Sequence, residues 1–402
     1  MTKKKNGLNA LFCAFLPFYL LLAQYDNILF IGLGNIIFLL ITGIKLIKGR
    51  LYFYDKDKPV LAFYMYVLLR DLMHGLFSTG ATQQEQLHRI IIYSMLIFLV
   101  CINTDVLYED VLYKSWKIAG LIFGGAVVID AIQIAAFKTA IHPISIIPGY
   151  KLVESYKTLR PCGFFTEPAS CATAIIPLVF LSLKRRDIKW AIMSTVFVAL
   201  TTSSVGIILV GALWGLYTLN AKKLQKKFGM ILMMSVMAVL VIFLPIFSDT
   251  VNKLVSVAEG GSTFGSRVLA SFELLKVLKP TEWLVGANSV SAGQFIRLNA
   301  TRFTSPSMAI LYARQAPEAD VFINTFTNLI FRYGIIGLLL FLNIFRVKLI
   351  NKNYNAKEYA IVTLIAIFGQ SILLNSIFFM ILSILQLYEA DAKQTADEVS
   401  TE

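Results

Sequence analysis

The chain has 402 residues, 57% of them hydrophobic and only 15% charged, with a net charge of +13 and a mean hydropathy of +0.70; no soluble globular domain sustains this over such a length. Apolar runs of about 15 to 25 residues recur without β-type alternation, which excludes an outer-membrane barrel and predicts an all-α, polytopic helical membrane protein forming one integral membrane domain over residues 1–402. The basic balance does not indicate nucleic acid, because the sequence has no basic, stacking-aromatic motif of an RNA or DNA module and the cations sort by loop instead.

The basic start, Lys3 to Lys5, precedes an apolar run from Leu8 to Ala23. No small-residue cleavage site follows, so this run is read as an uncleaved first span with its lysines in the cytoplasm. Ile28 to Ile47 is the second span, and Lys45, Lys48, Arg50, Lys56 and Lys58 mark the loop after it as cytoplasmic. Pro59–Phe77, Ile90–Asn103 and Ile118–Phe137 follow as spans three to five, which places a loop from Lys138 to Glu167 outside. Pro168 to Leu183 returns the chain to a cytoplasmic Lys184-Arg-Arg-Asp-Ile-Lys189. Trp190–Ser204 and Val205–Leu219 form a hairpin whose Thr201-Thr-Ser-Ser204 tip faces outside.

Lys222 to Lys227 marks the cytoplasm again before Phe228–Phe247 crosses out. Ser248 to Asp320 is the longest polar stretch and is too long for an idle connector. Within it, Ser266 to Leu278 reads as an amphipathic helix with Val268, Leu269, Phe272, Leu275 and Leu278 on one face, lying on the membrane surface. Val321 to Phe345 crosses back, and Tyr359 to Tyr388 has room only for a tight pair of short spans around Leu374 and Asn375. The expected architecture is about twelve transmembrane helices with both termini cytoplasmic and two extracytoplasmic loops, about 138–167 and 248–320.

Chemistry concentrates in Arg160-Pro-Cys-Gly-Phe-Phe-Thr-Glu-Pro-Ala-Ser170. An Arg and a Glu stiffened by Pro161, Gly163 and Pro168 are costly beside a bilayer. Thr166 is a natural cap for the helix that Pro168 opens. Two readings stand for this pair: a site, or a headgroup anchor (Arg160) beside a carboxylate that complements the helix dipole (Glu167). Within spans, Arg70 and His74 share a helix face, and Arg70 with Asp71 reads as mutual neutralisation across helices. Asp130 and Arg332 read as a structural pair, or Arg332 faces the substrate. Cys13, Cys101, Cys162 and Cys171 have no metal-ligand spacing and read as packing residues, a Cys162–Cys171 bridge being the alternative. Three histidines form no metal cluster, and no nucleotide-phosphate loop is present, so no cofactor is expected.

Four patterns in order resemble the Wzy-type O-antigen and capsule polymerases and the related O-antigen ligases, membrane glycosyltransferases of GT-C-like architecture. The first is Arg160-Pro-Cys-Gly163 through Glu167-Pro168. The second is Thr201-Thr-Ser-Ser204, where many relatives continue with Arg and this chain has Val205. The third is Gly265-Ser266-Arg267 with Trp283-Leu-Val-Gly286 after it, and the fourth is Asn324, nine residues, then Gly334-Ile-Ile-Gly337. The fourth is similar to the ligases' His-Asn signature, with Ile323 in place of the His. The resemblance covers roughly residues 157–345.

The resemblance implies an enzyme of the bacterial inner membrane. It would polymerise undecaprenyl-diphosphate-linked oligosaccharide repeat units at the extracytoplasmic face, with a chain-length regulator and a repeat-unit flippase as partners. Arg160 and Arg267 would hold the diphosphate leaving group, since a planar guanidinium suits phosphate oxygens. Glu167 would take the acceptor hydroxyl proton. Gly163, Ser266, Asn324 and Arg332 would line the substrate. The alternatives are an O-antigen ligase delivering glycan to a lipid A core and, from another class, a lipid-linked oligosaccharide flippase.

Overall fold

A computed structural model describes residues 7–24, 32–48, 54–77, 81–137, 160–220, 270–287, 292–304, 306, 310–311, 314 and 324–400. Regular structure among these residues is entirely helical, as the apolar periodicity predicts. The first group of helices is α1 (Gly7–Ala23), α2 (Leu33–Ile47), α3 (Lys58–Phe77), α4 (Ala81–Asn103) and α5 (Glu109–Phe137). After them come α6 (Pro168–Lys184), α7 (Ile188–Leu200) and α8 (Ser204–Leu219). Three short helices, α9 (Ala270–Lys276), α10 (Pro280–Val285) and α11 (Ala292–Leu298), precede α12 (Thr325–Ile350), α13 (Lys357–Gly369) and α14 (Ser376–Ser400).

Local chemistry sets most of the boundaries. Pro168 occupies the first turn of α6, where a missing N–H costs nothing. Asp187, Ser203 and Asn324 cap α7, α8 and α12, their side-chain oxygens accepting from Trp190 N, Gly206 N and Thr327 N. The apolar run from Tyr359 breaks where a tight pair of spans requires it, at Gln370–Asn375, with Leu374 in the left-handed region (φ 53°). α5 begins nine residues before the apolar stretch, because Glu109 and Asp110 suit the positive end of a helix.

Helix α6 lies at the centre, packed on α5, α7 and α8, while α1 packs on α2 and α5, and α12 on α3 and α13. Its residues 171–183 are buried without interruption. The core around it is aromatic: Phe123 meets Phe165 edge to face with ring centroids 5.1 Å apart, and Phe180 packs on Tyr359 and Tyr388.

The two ends of the bundle differ. At one end Lys348 pairs with Glu389, and its Nζ also donates to Gln386 (2.9 Å); all three are buried. Beside them Lys56 donates to the Thr104 and Gln386 carbonyls, and Lys45 pairs with Asp105 at 2.8 Å. Lys184 and Arg185 meet Glu109, and Lys117 meets Asp187. At the other end Gln24 accepts from Thr166, Arg160 reaches Thr202, and Thr325 N donates to the Gln370 carbonyl. Each set joins segments that the charge pattern groups together. Between the ends, large apolar side chains point outward, among them Leu40, Leu69, Ile118, Ile132, Leu339 and Phe368.

Among the described residues two helices, Glu109–Phe137 and Thr325–Ile350, are long and apolar enough to cross a membrane, and six shorter apolar helices accompany them. The region of Phe228–Phe247 lies outside the described residues. Helix α9 departs from the expected amphipathic face. Ala270, Ser271, Leu274, Leu275 and Leu278 turn inward, Phe272 is exposed, and the helix packs on α12. Packing on α12 buries the face of Ala270, Ser271, Leu274 and Leu275, and Phe272, which lies on the other face, turns out.

Candidate functional site

Arg160 and Glu167 flank a turn that is held from below. Asp130, fully buried on α5, accepts the main-chain N–H of Cys162 (3.1 Å) and Gly163 (2.7 Å) on one carboxylate oxygen. Hydrogen bonds to a charged group are worth about 1.5–3 kcal/mol each, so this carboxylate fixes the turn. Gly163 adopts φ 57°, and a β-carbon there would come 3.1 Å from Ala126 Cβ and 3.5 Å from the Phe123 carbonyl. Only glycine meets both demands without strain. Phe165, buried against Phe123, pins the other side of the turn. The structural pair expected between Asp130 and Arg332 is therefore replaced. Asp130 serves the turn, and Arg332 Nε donates instead to Asn328 Oδ1 at 2.9 Å.

Arg160 is partly buried, and its guanidinium is oriented by the hairpin tip. Nε donates to Thr202 Oγ1 at 3.0 Å and one terminal nitrogen donates to the Thr202 carbonyl. Thr202 sits at φ 54°, unusual for a β-branched residue, and is buried. This contact joins the first two sequence patterns. Glu167, rather than Thr166, is the cap residue of α6; its backbone is extended and its side chain makes no capping bond. Thr166 turns away because its N–H and hydroxyl both donate to Gln24 Oε1 at 3.0 and 3.2 Å. The Glu167 carboxylate is half-exposed and, among the described residues, has no hydrogen-bond or ion-pair partner.

Cys162 and Cys171 are both free and buried, so no bridge staples the turn. Burial, reinforced by nearby Asp130, pushes the Cys162 thiol up to about 12, which keeps it protonated and removes it as a nucleophile.

The third and fourth patterns also meet. Helix α12 is broken at Gly334 (φ 67°, ψ −172°). The Phe331 carbonyl accepts the Ala287 N–H at 2.7 Å. Gly286 and Gly334 face each other's backbones: a β-carbon on Gly286 would overlap the Arg332 carbonyl, and one on Gly334 would overlap that of Leu284. Arg70 donates to the Gly286 carbonyl at 3.1 Å, Tyr66 to that of Tyr333 at 2.8 Å, and the Tyr333 hydroxyl to Asp71 at 3.3 Å. Arg70 and Asp71 are thus engaged by this docked segment.

Asn324 is buried and its amide is engaged twice, accepting from Thr327 N and donating to Ser271 at 3.5 Å. Asn328 and Arg332 extend the same face of α12, and the two terminal nitrogens of Arg332 make no hydrogen bond among the described residues. The hairpin tip and the α12 cap are linked through the α13–α14 break. Val205 packs within van der Waals reach of the Gly369 position, and Gln370 accepts from Thr325 N at 2.9 Å. Ser266 and Arg267 lie outside the described residues.

Sequence reasoning passed over Thr202 as the partner of Arg160, Asp130 as the anchor of the turn, and Asn328. Only Asn328 carried a readable signal, four residues before Arg332 on one helix face. Among the described residues no group of three or more His, Cys, Asp or Glu side chains could hold a metal ion. No protein-family model and no curated protein matches the chain.

Proposed function

We propose that the chain is a polytopic membrane glycosyltransferase that polymerises polyprenyl-diphosphate-linked oligosaccharide repeat units at the extracytoplasmic face of a bacterial inner membrane. One observation carries the reading: patterns distant in sequence pair in space, Arg160 with Thr202 and Gly286 with Gly334, with the Gly369–Gln370 break bridging the hairpin tip and the Asn324 cap.

The membrane reading is supported by the inverted polarity of the bundle. Charged groups such as Lys348, Asp57 and Asp130 are buried, while Leu40, Ile132 and Phe368 are exposed. Burying charge inside and showing aliphatic side chains outside suits lipid rather than water. A 17-residue helix such as α6 is about 25 Å long, close to the ~30 Å hydrocarbon core. With flanking turns it completes a crossing, so the expected architecture of about twelve spans remains the reading. Arg160 and Glu167 then fall at the outer end, and the Lys56, Lys348 and Lys184 clusters at the cytoplasmic end.

In the proposed reaction the bond from the donor glycan to its diphosphate breaks while an acceptor hydroxyl attacks. Arg160, its guanidinium plane set by Thr202, offers fixed positive charge to the departing diphosphate, joined by Arg267 and by the terminal nitrogens of Arg332. Glu167 accepts the hydroxyl proton. Asn324 and Gly163 shape the same end, and Ser266 is assigned to the substrate with them by its sequence pattern alone.

The test is complementation of a polymerase-deleted strain, read as the ladder of surface glycan lengths at matched expression. Arg160→Ala should leave mainly single repeat units, a loss of about 100- to 1,000-fold by analogy with a removed oxyanion donor. Wild-type ladders from both Arg160→Ala and Glu167→Gln would refute the site. Long glycan chains left unattached to the surface on loss of the wild-type gene would indicate a ligase instead.

A further inference from the structure

We propose that a cleft between α6, α8, α13 and α14 holds the polyprenyl chain of the carrier lipid, with the side-chain amide of Gln370 donating to an oxygen of its phosphate head. This rests on the polymerase reading and adds to it a lipid-chain subsite. The starting point is an unsatisfied group. Gln370 is buried, 7% exposed, and among the described residues its amide nitrogen has no acceptor. A buried donor left unpaired is costly enough that an outside acceptor is the natural partner.

Gln370 lines the outer end of the cleft, whose wall is otherwise aliphatic, including Ile176, Leu209 and Ile381, with Thr173 and Tyr359 among its few polar members. From Gln370 to Tyr359 the cleft follows α13 for eleven residues, about 16 Å at 1.5 Å per residue. Closed at rest, this seam of aliphatic side chains with one donor at its mouth has the polarity of a site for a lipid with a polar head and an apolar chain.

Its mouth is at the reactive end. Thr173 lies six residues along α6 from Glu167, and Gly369 abuts Val205, next to the tip that holds Arg160. At rest the cleft admits little more than a water, so chain entry requires α14 to part from α13. The Gln370–Asn375 break between those helices, with Leu374 at φ 53°, is where that motion would be absorbed.

The experiment uses the purified full-length protein in detergent, with undecaprenyl phosphate as probe and phosphatidylglycerol as the competing lipid source. Binding is read by native mass spectrometry and by thermal shift. Gln370→Met keeps the volume and removes the donor; Ala366→Leu fills the slot from the α13 wall. Gln370→Met should keep an apo Tm near wild type and Ala366→Leu, which overpacks the closed cleft, one slightly below it, and both should bind undecaprenyl phosphate about tenfold more weakly, the equivalent of about 1.4 kcal/mol. Phosphatidylglycerol should bind equally to all three proteins.

Unchanged undecaprenyl phosphate affinity in both variants would overturn the proposal and leave the Gln370 amide as a hydrated core group. Equal sensitivity of both lipids would overturn the carrier assignment in favour of an ordinary phospholipid. Because binding is read without glycan growth, a failure of the polymerase reading shows in the ladder assay while this outcome stands separately.

Discussion

Substituting alanine for Gly334 tests whether the docking of residues 283–287 on the broken helix α12 is a designed contact. Gly334 lies in a backbone region reserved for glycine (φ 67°, ψ −172°), and a β-carbon would overlap the Leu284 carbonyl and come 2.5 Å from Val285 N. The conformational strain costs about 1–3 kcal/mol. Relieving the overlap by separation also loses the 2.7 Å Ala287 N–Phe331 carbonyl bond, about 1 kcal/mol more. Gly334→Ala should therefore destabilise by about 2–4 kcal/mol, on the order of 5 °C in the Tm of a chain this size. Gly286→Ala, whose β-carbon would overlap Arg332's carbonyl and sit 2.7 Å from Tyr333 N, should cost the same. Because either substitution undoes one shared contact, the double variant should cost far less than the sum. Gly211→Ala on α8, where a β-carbon meets nothing within 4 Å, is the control and should be neutral or slightly stabilising. The assay is thermal unfolding of the purified protein in detergent by intrinsic fluorescence. Wild-type Tm in both single variants, or strict additivity in the double, would refute a reciprocal clasp.

Arg160→Lys should restore glycan ladders only partly, since an ammonium can meet the Thr202 carbonyl but cannot keep the two-pronged plane; full restoration would reduce Arg160 to a charge. Lys348→Met should destabilise by about 3–5 kcal/mol by stranding Glu389, and Lys348→Met with Glu389→Met should recover most of it; a double variant no better than the single would deny the pair. Burial lowers Lys56 to about 8, below its unfolded value, so the unfolded chain binds more protons between about pH 8 and 10.5. Wild type should gain stability relative to Lys56→Met as pH rises through that window, and a flat difference in chemical denaturation would contradict it. With the four native cysteines buried, Lys276→Cys should label from outside intact cells and Asp55→Cys only after permeabilisation. The reverse pattern would invert the topology.

Helix positions were legible because long apolar runs bounded by Pro168, Asp187, Ser203 and Asn324 leave few alternatives. The break at Leu374 was legible from length alone, since thirty apolar residues must either overshoot a bilayer or turn back. What could not be read was partnership across the bundle. Charge, the rule that dominates in a bilayer, offers Arg332 as one partner for Asp130, the other reading having Arg332 face the substrate. Two main-chain N–H groups of the Cys162–Gly163 turn compete for that carboxylate and win, because a tight turn next to a buried helix has no water to satisfy them. The Arg160–Thr202 contact was hidden for a related reason: the acceptor is partly a main-chain carbonyl, which no side-chain pattern announces. Phe272 was misplaced because amphipathicity was measured against lipid, whereas α9 packs on α12.

The unequal construction of the two ends bears on how such a protein would work. The end with Lys56, Lys348 and Glu389 is held by buried ion pairs and charge-assisted hydrogen bonds, which are stiff and specific about register. Toward the opposite end lie the glycine turns at 163, 286 and 334 and two of the three described non-glycine residues with positive φ, Thr202 and Leu374; the third, Arg186, sits in the turn between α6 and α7 at the ion-paired end. Such backbone persists only where surroundings over-determine it, and the five named positions toward this end each have an identified restraint or role. Asp130 holds Gly163, Arg160 holds Thr202, Arg70 and Ala287 hold the Gly286–Gly334 contact, and Leu374 sits in the break that joins α13 to α14. A protein whose only task was to span the membrane would gain nothing from gathering most of these special turns at one end. An enzyme that must keep Arg160 aimed while α14 moves aside for a lipid chain would need a rigid base at one end and pre-formed turns at the other. On that reasoning, loosening the base with Lys348→Met should lower Tm more than it shortens glycan ladders, whereas Gly163→Val, which strains the turn by about 1–3 kcal/mol, should shorten ladders out of proportion to its fall in Tm. Equal effects of the two substitutions on both readouts would show that the ends do not divide the labour.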